Sequence, residues 1–295
     1  MQQKYTLIDA FTKIPFAGAQ IAVFTYADNL NEQQKQLLAK ELNLTETVFI
    51  TRSLDERFDA QLEIFTPQGN SDFAGHAVVA AGYALGDAGI VKSSDARILV
   101  NGKEIDITLG VKNQKVQINI PVSEKYDEYV PSNVELSQLI GIDESEIGYN
   151  AYKPMLAGCP EYYLILPVKN NQVLRKAKFN ANKWQLSFVA SLAKQILLFT
   201  GDHPFKDANF AARIIGKYIP EKEDPPIGAA APSFGLYLSY GKNDYHRSSL
   251  VQRGEESSRI SILEVNIDKK GPKVMGLQLG GHATKVGEGY FNLPD

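Results

Sequence analysis

Apolar and polar positions along the first 120 residues change period several times, and each change predicts a new element. "KYTLIDAF" and "IAVFTY" are β-branched and aromatic between glycine and proline punctuation, and they read as the first two strands. "NEQQKQLLAKELN", residues 31–43, sets leucines at 37, 38 and 42 on an otherwise polar segment, the mark of an amphipathic surface helix. "TVFITRS" and "RFDAQLEIFTP" return to strand character. "ARILVNGKEIDITLG" predicts a hairpin, because Asn101-Gly102 supplies the positive φ angles of a tight turn, and "KVQINIP" alternates as a further strand. One stretch fits neither pattern. "FAGHAVVAAGYALG", Phe73 to Gly86, is apolar on nearly every side and opens with a glycine and a histidine. A helix apolar all round belongs in an interior, so a buried helix is expected from Gly75.

The second half repeats the theme. Ser132 followed three residues later by Glu135 in "PSNVELSQLIG" is a capping box and starts a helix. "EYYLILPV" and "ILLFTG" read as strands, a second buried helix is expected from about Gly228, and "SRISILEVN", "KVMGLQLG" and "HATKVGEG" close the chain as strands. Strands dominate and do not alternate regularly with helices, which argues against a doubly wound parallel sheet. Laying Gly75 on Gly228 brings Pro67 onto Pro220, Gly82 onto Gly235 and Leu85 onto Leu238. Both prolines follow strand-like residues and both glycines open an apolar helix, as a duplicated fold would require. The expectation is an α+β protein of two pseudo-symmetric halves, each a curved mixed sheet or barrel around one central helix. Residues 1–120 would form the first half and 121–295 the second, with the last strand free to return to the first.

This duplication bears on chemistry. The first N–H groups of a helix lack intrahelical partners and carry partial positive charge. A glycine at the start lets a ligand approach that backbone closely. Two such ends facing one cleft would suit carboxylates, with His76 standing where a bound anion would lie.

Composition narrows the field. The chain has 295 residues, 44% hydrophobic and 22% charged, with a net charge of −3, which fits a globular protein and not a nucleic-acid binder. No apolar run reaches membrane-spanning length and no signal pattern opens the chain. The single cysteine, Cys159, has no intramolecular disulfide partner, and a reducing cytoplasm is the expected setting. Four histidines without a close ligand pair argue against a zinc site, and no glycine-rich phosphate loop or dinucleotide fingerprint is present.

"LIDAFTKIPFAGAQIAVF", "LNLTETVFI", "FTP…FAGHA" and "EDPPIG" together resemble, in order and from end to end, the signatures of the phenazine-biosynthesis isomerase family, the PhzF-like proteins. The resemblance implies a diaminopimelate-epimerase-like fold with the active site between two halves. It implies a metal-free, cofactor-free isomerase, usually a homodimer, acting on a small carboxylic acid. Position by position it assigns an acid/base glutamate to Glu46, a histidine to His76 and an aspartate to Asp224. Gly75, Gly228 and Ala229 fall where backbone would bind substrate. Three departures stand out: Gly18-Ala19-Gln20 replaces Gly-Asn-Pro, Asn70 replaces a glutamate, and Ile227-Gly228-Ala229 replaces Thr-Gly-Ser. The last removes a hydroxyl expected to face substrate.

Without the resemblance, Glu46 reads as a solvated loop residue, His76 equally well as a helix cap, and Asp224 as part of a rigid turn. With it, Glu46 becomes the proton carrier while His76 and Asp224 orient substrate. His282 in "GGHA" copies the look of His76 but precedes strand-like residues, so a hairpin role is expected. His203 and His246 read as loop residues and Cys159 as a small turn residue. A two-thiol racemase is excluded by the cysteine count. The leading expectation is a proton-shifting isomerase. The rival is a small-carboxylate-binding protein of the same fold that has lost catalysis, and a weaker third is hydrolysis through water activated by Glu46.

Overall fold

The computed structural model describes residues 2–71, 73–110, 114–202, 206–217, 219, 226–241, 245–255 and 259–293. In chain order the elements begin β1 (Gln2–Ala10), β2 (Ala19–Phe24), α1 (Glu32–Leu42), β3 (Thr47–Thr51), β4 (Ala60–Thr66) and the two-residue β5 (Gly69–Asn70). There follow α2 (Gly75–Asp87), β6 (Asp95–Val100), β7 (Lys103–Leu109), β8 (Lys115–Asn119), β9 (Lys125–Asp127) and α3 (Asn133–Ile140). Next come β10 (Met155–Gly158), β11 (Tyr162–Pro167), α4 (Asn171–Lys176), α5 (Ala181–Leu186), β12 (Ile196–Thr200) and β13 (Phe210–Ile215). The chain ends with α6 (Ala231–Ser239), β14 (Tyr245–Arg253), β15 (Ser261–Lys270) and β16 (Lys273–Asn292).

The chain divides into two compact units. One comprises Met1–Asn119 with Glu255–Ile262 and Leu279–Asp295, the other Ile120–Gly254 with Leu263–Gln278. Among the described residues the first is a closed eight-stranded barrel, ordered β1-β2-β3-β4-β6-β7-β8-β16 and completed by β16 pairing with β1. Most pairs are antiparallel, but β2–β3 and β4–β6 are parallel. Parallel neighbours need a crossover, and the chain supplies a helix each time. The β2–β3 crossover is α1, which covers an outer cluster of Phe24, Phe49, Phe65 and Leu38. The β4–β6 crossover is α2, whose residues from Gly75 to Gly82 are all buried. One helix lies outside the sheet and one lies within.

In the second unit the sheet runs β9-β10-β11-β12-β13-β14-β15. Its parallel pairs are β11–β12 and β13–β14. The first is crossed by α4 and α5, which pack with α3 over a cluster containing Leu136, Leu164, Trp184 and Leu198. The second is crossed by α6, buried along its whole length. The same connectivity therefore occurs twice, as the sequence repeat requires: an outer crossover, then an inner one. The glycines paired in the repeat do equivalent work. A Cβ on Gly82 would stand 2.7 Å from Val116 Cγ1, and one on Gly235 would stand 2.5 Å from Val265 Cγ1. Each inner helix touches its sheet at the point where it has no side chain.

Several expectations hold at residue level. Asn101 and Gly102 both have positive φ in the β6–β7 turn. The Ser132–Glu135 capping box opens α3. Others need correction. The second inner helix starts at Ala231, not Gly228; Gly228–Ala230 form a turn ahead of it, and Pro232 falls in the first helical turn, where its missing N–H costs nothing. The strand read as ending in Tyr-Ile-Pro stops at Ile215, and Ile219 sits in a bend; Tyr218 and Pro220 lie outside the described residues. "KVMGLQLG" and "HATKVGEG" are one continuous strand, so His282 is mid-strand and not at a hairpin. The glycines that suggested a turn serve close packing: a Cβ on Gly280 would lie 2.5 Å from the Val116 carbonyl oxygen. The backbone at His246 belongs to β14, not to a loop. His203 lies outside the described residues. Leu37 points to solvent, 62% exposed, so the buried stripe of α1 runs through Lys35, Leu38 and Ala39. Cys159 is buried in a bend after β10.

Candidate active site

The approach to the site is set by a helix end. Asn43 adopts the left-handed conformation (φ 49°) that terminates α1, and its N–H closes on the Ala39 carbonyl. Glu46 follows, one residue before β3. Side chains alternate along a strand, so Glu46 shares a face with Val48 and Ile50, while Thr47 and Phe49 share the other. Phe49 belongs to the cluster covered by α1. Glu46 therefore faces inward, toward α2.

There it meets His76, the second residue of α2. Glu46 Oε2 and His76 Nε2 form a short hydrogen bond in the first unit, with Glu46 8% and His76 5% exposed. A buried carboxylate is costly unless paired, and among the described residues His76 is the polar partner that the carboxylate finds. That bond engages Oε2.

The start of α2 is open as well. Its N-cap is Ala74, extended at φ −142° and ψ 116°, and no side chain caps the helix. The contrast with the outer helices is consistent. Asn31, Ser132, Asn170 and Asn180 each cap theirs through a side-chain oxygen accepting a backbone N–H. Among the described residues the two inner helices are the α-helices without a side-chain cap, since α6 has Ala230 at its N-cap. The uncapped start of α2 thus lies beside the Glu46–His76 pair.

The lead-in to α2 is braced by residues whose link the sequence did not disclose. Asn101 in the β6–β7 turn donates through Nδ2 to Asn70 Oδ1 at 3.1 Å and to the Ser71 carbonyl. Thr66 Oγ1 accepts from the N–H groups of Gln68 and Gly69 at 3.1 and 3.2 Å. Asn70 is exposed and spends its side-chain oxygen on this brace. A second cluster joins residues that no local pattern links. Asp9 is fully buried and accepts from Phe16 N–H at 2.7 Å and from the Arg259 guanidinium, which also donates at 2.9 Å to the Ala17 and Gly18 carbonyls. Burial raises the Asp9 carboxyl above its ordinary range, against the lowering effect of the Phe16 N–H and Arg259. The cluster pins the β1–β2 loop containing Ala19's neighbours. Its long sequence separation hid it, because Asp9 and Arg259 are far apart in the chain.

In the second unit Gly228 is buried and Ala229 exposed in the turn before α6. A hydroxyl does stand in the first turn of α6, but it is committed. Ser233 Oγ accepts from Cys159 N–H at 3.0 Å and donates to the Glu161 carbonyl at 3.2 Å. Asp224 lies outside the described residues. Among the described residues no three His, Cys, Asp or Glu side chains gather as a metal site requires, and no helix is long and apolar enough to cross a membrane.

Comparison with known proteins agrees with this architecture. The family model described as phenazine biosynthesis-like protein matches residues 8–289. An uncharacterized isomerase of Clostridium acetobutylicum is 29% identical, the match covering 97% of each chain. A trans-2,3-dihydro-3-hydroxyanthranilate isomerase of Pseudomonas chlororaphis is 24% identical over 98% of this chain and 99% of its own. Among solved structures, a Bacillus anthracis protein of the PhzF family superposes with a TM-score of 0.84 at 22% identity, covering 99% of this chain and 100% of that one.

Proposed function

The chain belongs to the phenazine biosynthesis-like family of isomerases, and from that membership we propose that it moves a proton between carbons of a small carboxylic acid without metal or cofactor. The observation that carries this reading is the buried Glu46–His76 pair at the uncapped start of α2. Glu46 takes the proton from a carbon of the substrate on Oε1 and returns it to another. His76 holds Oε2 and so keeps Oε1 aimed at the reacting atoms, a positional constraint that a solvated carboxylate would lack. The N–H groups at the start of α2, from Gly75 onward, receive the substrate carboxylate, where the helix dipole favours negative charge. Asp224, Gly228 and Ala229 complete the assignment, as orienting carboxylate and backbone donors.

A protein that kept the cleft for binding alone has no use for a buried carboxylate tied to an imidazole, since the pair costs desolvation and adds nothing that the helix end does not supply. The test is solvent exchange. The protein is incubated in deuterated water with trans-2,3-dihydro-3-hydroxyanthranilate, the compound named by the Pseudomonas relative, and then with other small unsaturated acids. Carbon-bound hydrogen is followed by NMR. Deuterium incorporation or isomerisation in wild type, lost in Glu46→Gln, supports the reading. Equal turnover in both proteins removes Glu46 from the mechanism.

A further inference from the structure

The loop between β1 and β2 is held more tightly than a connection requires. Phe11, Phe16 and Gly18 all have positive φ, at 62°, 69° and 68°. A bulky residue in that region is an outlier, and such outliers persist only where their surroundings over-determine them. Phe16 is 74% exposed, so packing of its ring does not impose the conformation. Hydrogen bonds do. Phe16 N–H donates to Asp9 Oδ2 at 2.7 Å, Gly18 N–H to the Ile260 carbonyl at 2.8 Å, and Ile262 N–H to the Phe11 carbonyl at 2.8 Å. The Arg259 guanidinium binds Asp9, the Ala17 carbonyl and the Gly18 carbonyl together. That reach depends on the planar fork of arginine, which a lysine ammonium lacks.

Strand register shows what this latch fixes. Val23 pairs with Val48 across the parallel β2–β3 ladder, and Val48 faces inward with Glu46. Val23, Ile21 and Ala19 therefore face inward too, while Phe24 joins the outer cluster. One step back from the Ala22–Thr47 pair, Ile21 comes level with Glu46. Ala19 is the next inward position toward the loop, about 7 Å further along β2 at roughly 3.3 Å per residue. Its partner Ala10 and the neighbouring Ile21 and Ala283 are buried, whereas Ala19 is half-buried and open to contact. Asp9 alternates with Ala10 and lies on the outer face, so the latch stands outside the barrel and acts inside it through the backbone. Gly18 completes the link. A Cβ there would stand 2.2 Å from the Ala10 carbonyl oxygen, so β2 starts hard against β1.

We propose that Asp9 and Arg259 are positioning residues for the reaction, acting through the β1–β2 loop to fix Ala19 as the wall of the substrate site beside Glu46. The inference rests on the reading of Glu46 as the proton carrier. A wall displaced by about 1 Å lets the reacting carbon drift from the carboxylate, and misplacement on that scale can cost about 100-fold in rate. Residue 19 also sets the room on that side, because the methyl of alanine leaves space that a larger side chain would fill.

NMR of the full-length protein without ligand, together with turnover of trans-2,3-dihydro-3-hydroxyanthranilate, tests the link. Arg259→Lys keeps the charge and loses the fork. Asp9→Asn keeps an acceptor for the Phe16 N–H and loses the charge. Both are expected to move the Ala19 and Glu46 amide signals and the His76 ring signal, and to lower kcat/KM by about tenfold or more. Ala19→Val leaves the latch intact. It should move the His76 ring signal and raise KM by about tenfold, the scale of one methylene in a pocket, with kcat held within about threefold. If Arg259→Lys does not fold, Asp9→Asn and Ala19→Val decide. A latch that is merely structural would lower the melting temperature and leave the Glu46 and His76 signals at their wild-type positions. That result overturns the proposal, as does an unmoved His76 ring in Ala19→Val. Signals that move as expected in a protein that turns nothing over would uphold the link from latch to Glu46 while failing the proposed function.

Discussion

The two inner helices occupy the same place in the connectivity of their units and begin in opposite ways. α2 opens on Gly75 and His76, with a buried carboxylate against the imidazole. α6 opens on Ala231 and Pro232 behind an alanine N-cap in helical conformation, and the hydroxyl of its first turn is spent on the β10–β11 connection. Both present helix ends without a side-chain cap, yet among the described residues the titratable pair stands at α2 alone. The scaffold thus recurs, including the glycine contacts at Gly82 and Gly235, while the described first turns of the two helices differ. Packing constrains what touches the sheet more tightly than what faces the entrance.

The largest effect that would sharpen this contrast is expected at Glu46. Glu46→Gln keeps the shape and a hydrogen bond to His76 but cannot carry a proton. Turnover should fall by roughly 100-fold to 10,000-fold, the usual loss for a general acid/base, while carboxylate binding persists. A loss below tenfold, measured by deuterium incorporation, would erase the chemical difference between the two entrances.

The shared scaffold is tested next. Gly235→Ala forces a methyl to within 2.5 Å of Val265 Cγ1, and Gly82→Ala brings one to 2.7 Å from Val116 Cγ1. Overpacking costs typically about 1–3 kcal/mol, against a helix-propensity gain of about 1 kcal/mol for replacing glycine. Both variants should lose stability in urea titrations, Gly235→Ala the more, because its clash is closer and Ile267 stands behind it. Stabilisation of either would mean that the helix can move away from its sheet, and that the two units do not share the constraint.

Outer helices supply the control. Asn31→Ala removes the capping box of α1 and should cost about 1 kcal/mol. At α3 the effect is visible in pH. Hydrogen bonds from the Ser132 backbone and hydroxyl hold the Glu135 carboxyl below its ordinary range. A lowered carboxylate contributes stability above its unfolded value, and that contribution is lost as pH falls through the lowered one. Glu135→Gln should therefore narrow its stability gap to wild type on acidification below the usual carboxylate range, in melts at matched ionic strength.

The smallest effect is expected at Ala229. Ala229→Ser restores a hydroxyl at an exposed turn position and should change stability by less than about 0.5 kcal/mol. A change in turnover without a change in stability would connect the second entrance to the reaction.

Much of this was legible in the sequence because the informative residues act locally. The strand alternation, the Asn101-Gly102 turn, the Ser132 capping box and the all-apolar segment after Gly75 each declare themselves within a few positions. The start of α6 is not legible locally: Gly228 resembles Gly75 in its surroundings, yet a turn over 228–230 precedes the helix that Pro232 enters in its first turn. The strand position of His282 is hidden because a glycine pair in sequence looks alike whether it turns a chain or lets two strands approach. Glu46 became a candidate through family resemblance, although its alternation with Val48 and Ile50 already fixes the face it presents. The Asp9–Arg259 cluster and the Asn101–Asn70 brace depend on residues distant in sequence, and no local pattern announces them.

The discontinuity of the first unit carries a consequence for synthesis. Gln2 pairs with Asn292, so the barrel's first strand waits for residues 283–292 before its edge is covered. All segments of the second unit precede residue 279, so in chain order the closing segment of the first unit is made after them. Until β16 is made, β1 displays an unpaired edge of the kind that recruits other strands. The nascent chain therefore has its order of completion reversed: the half begun first is the half finished last. Loss of a few terminal residues would strike the unit that carries Glu46 and His76, although both lie far from the end of the sequence.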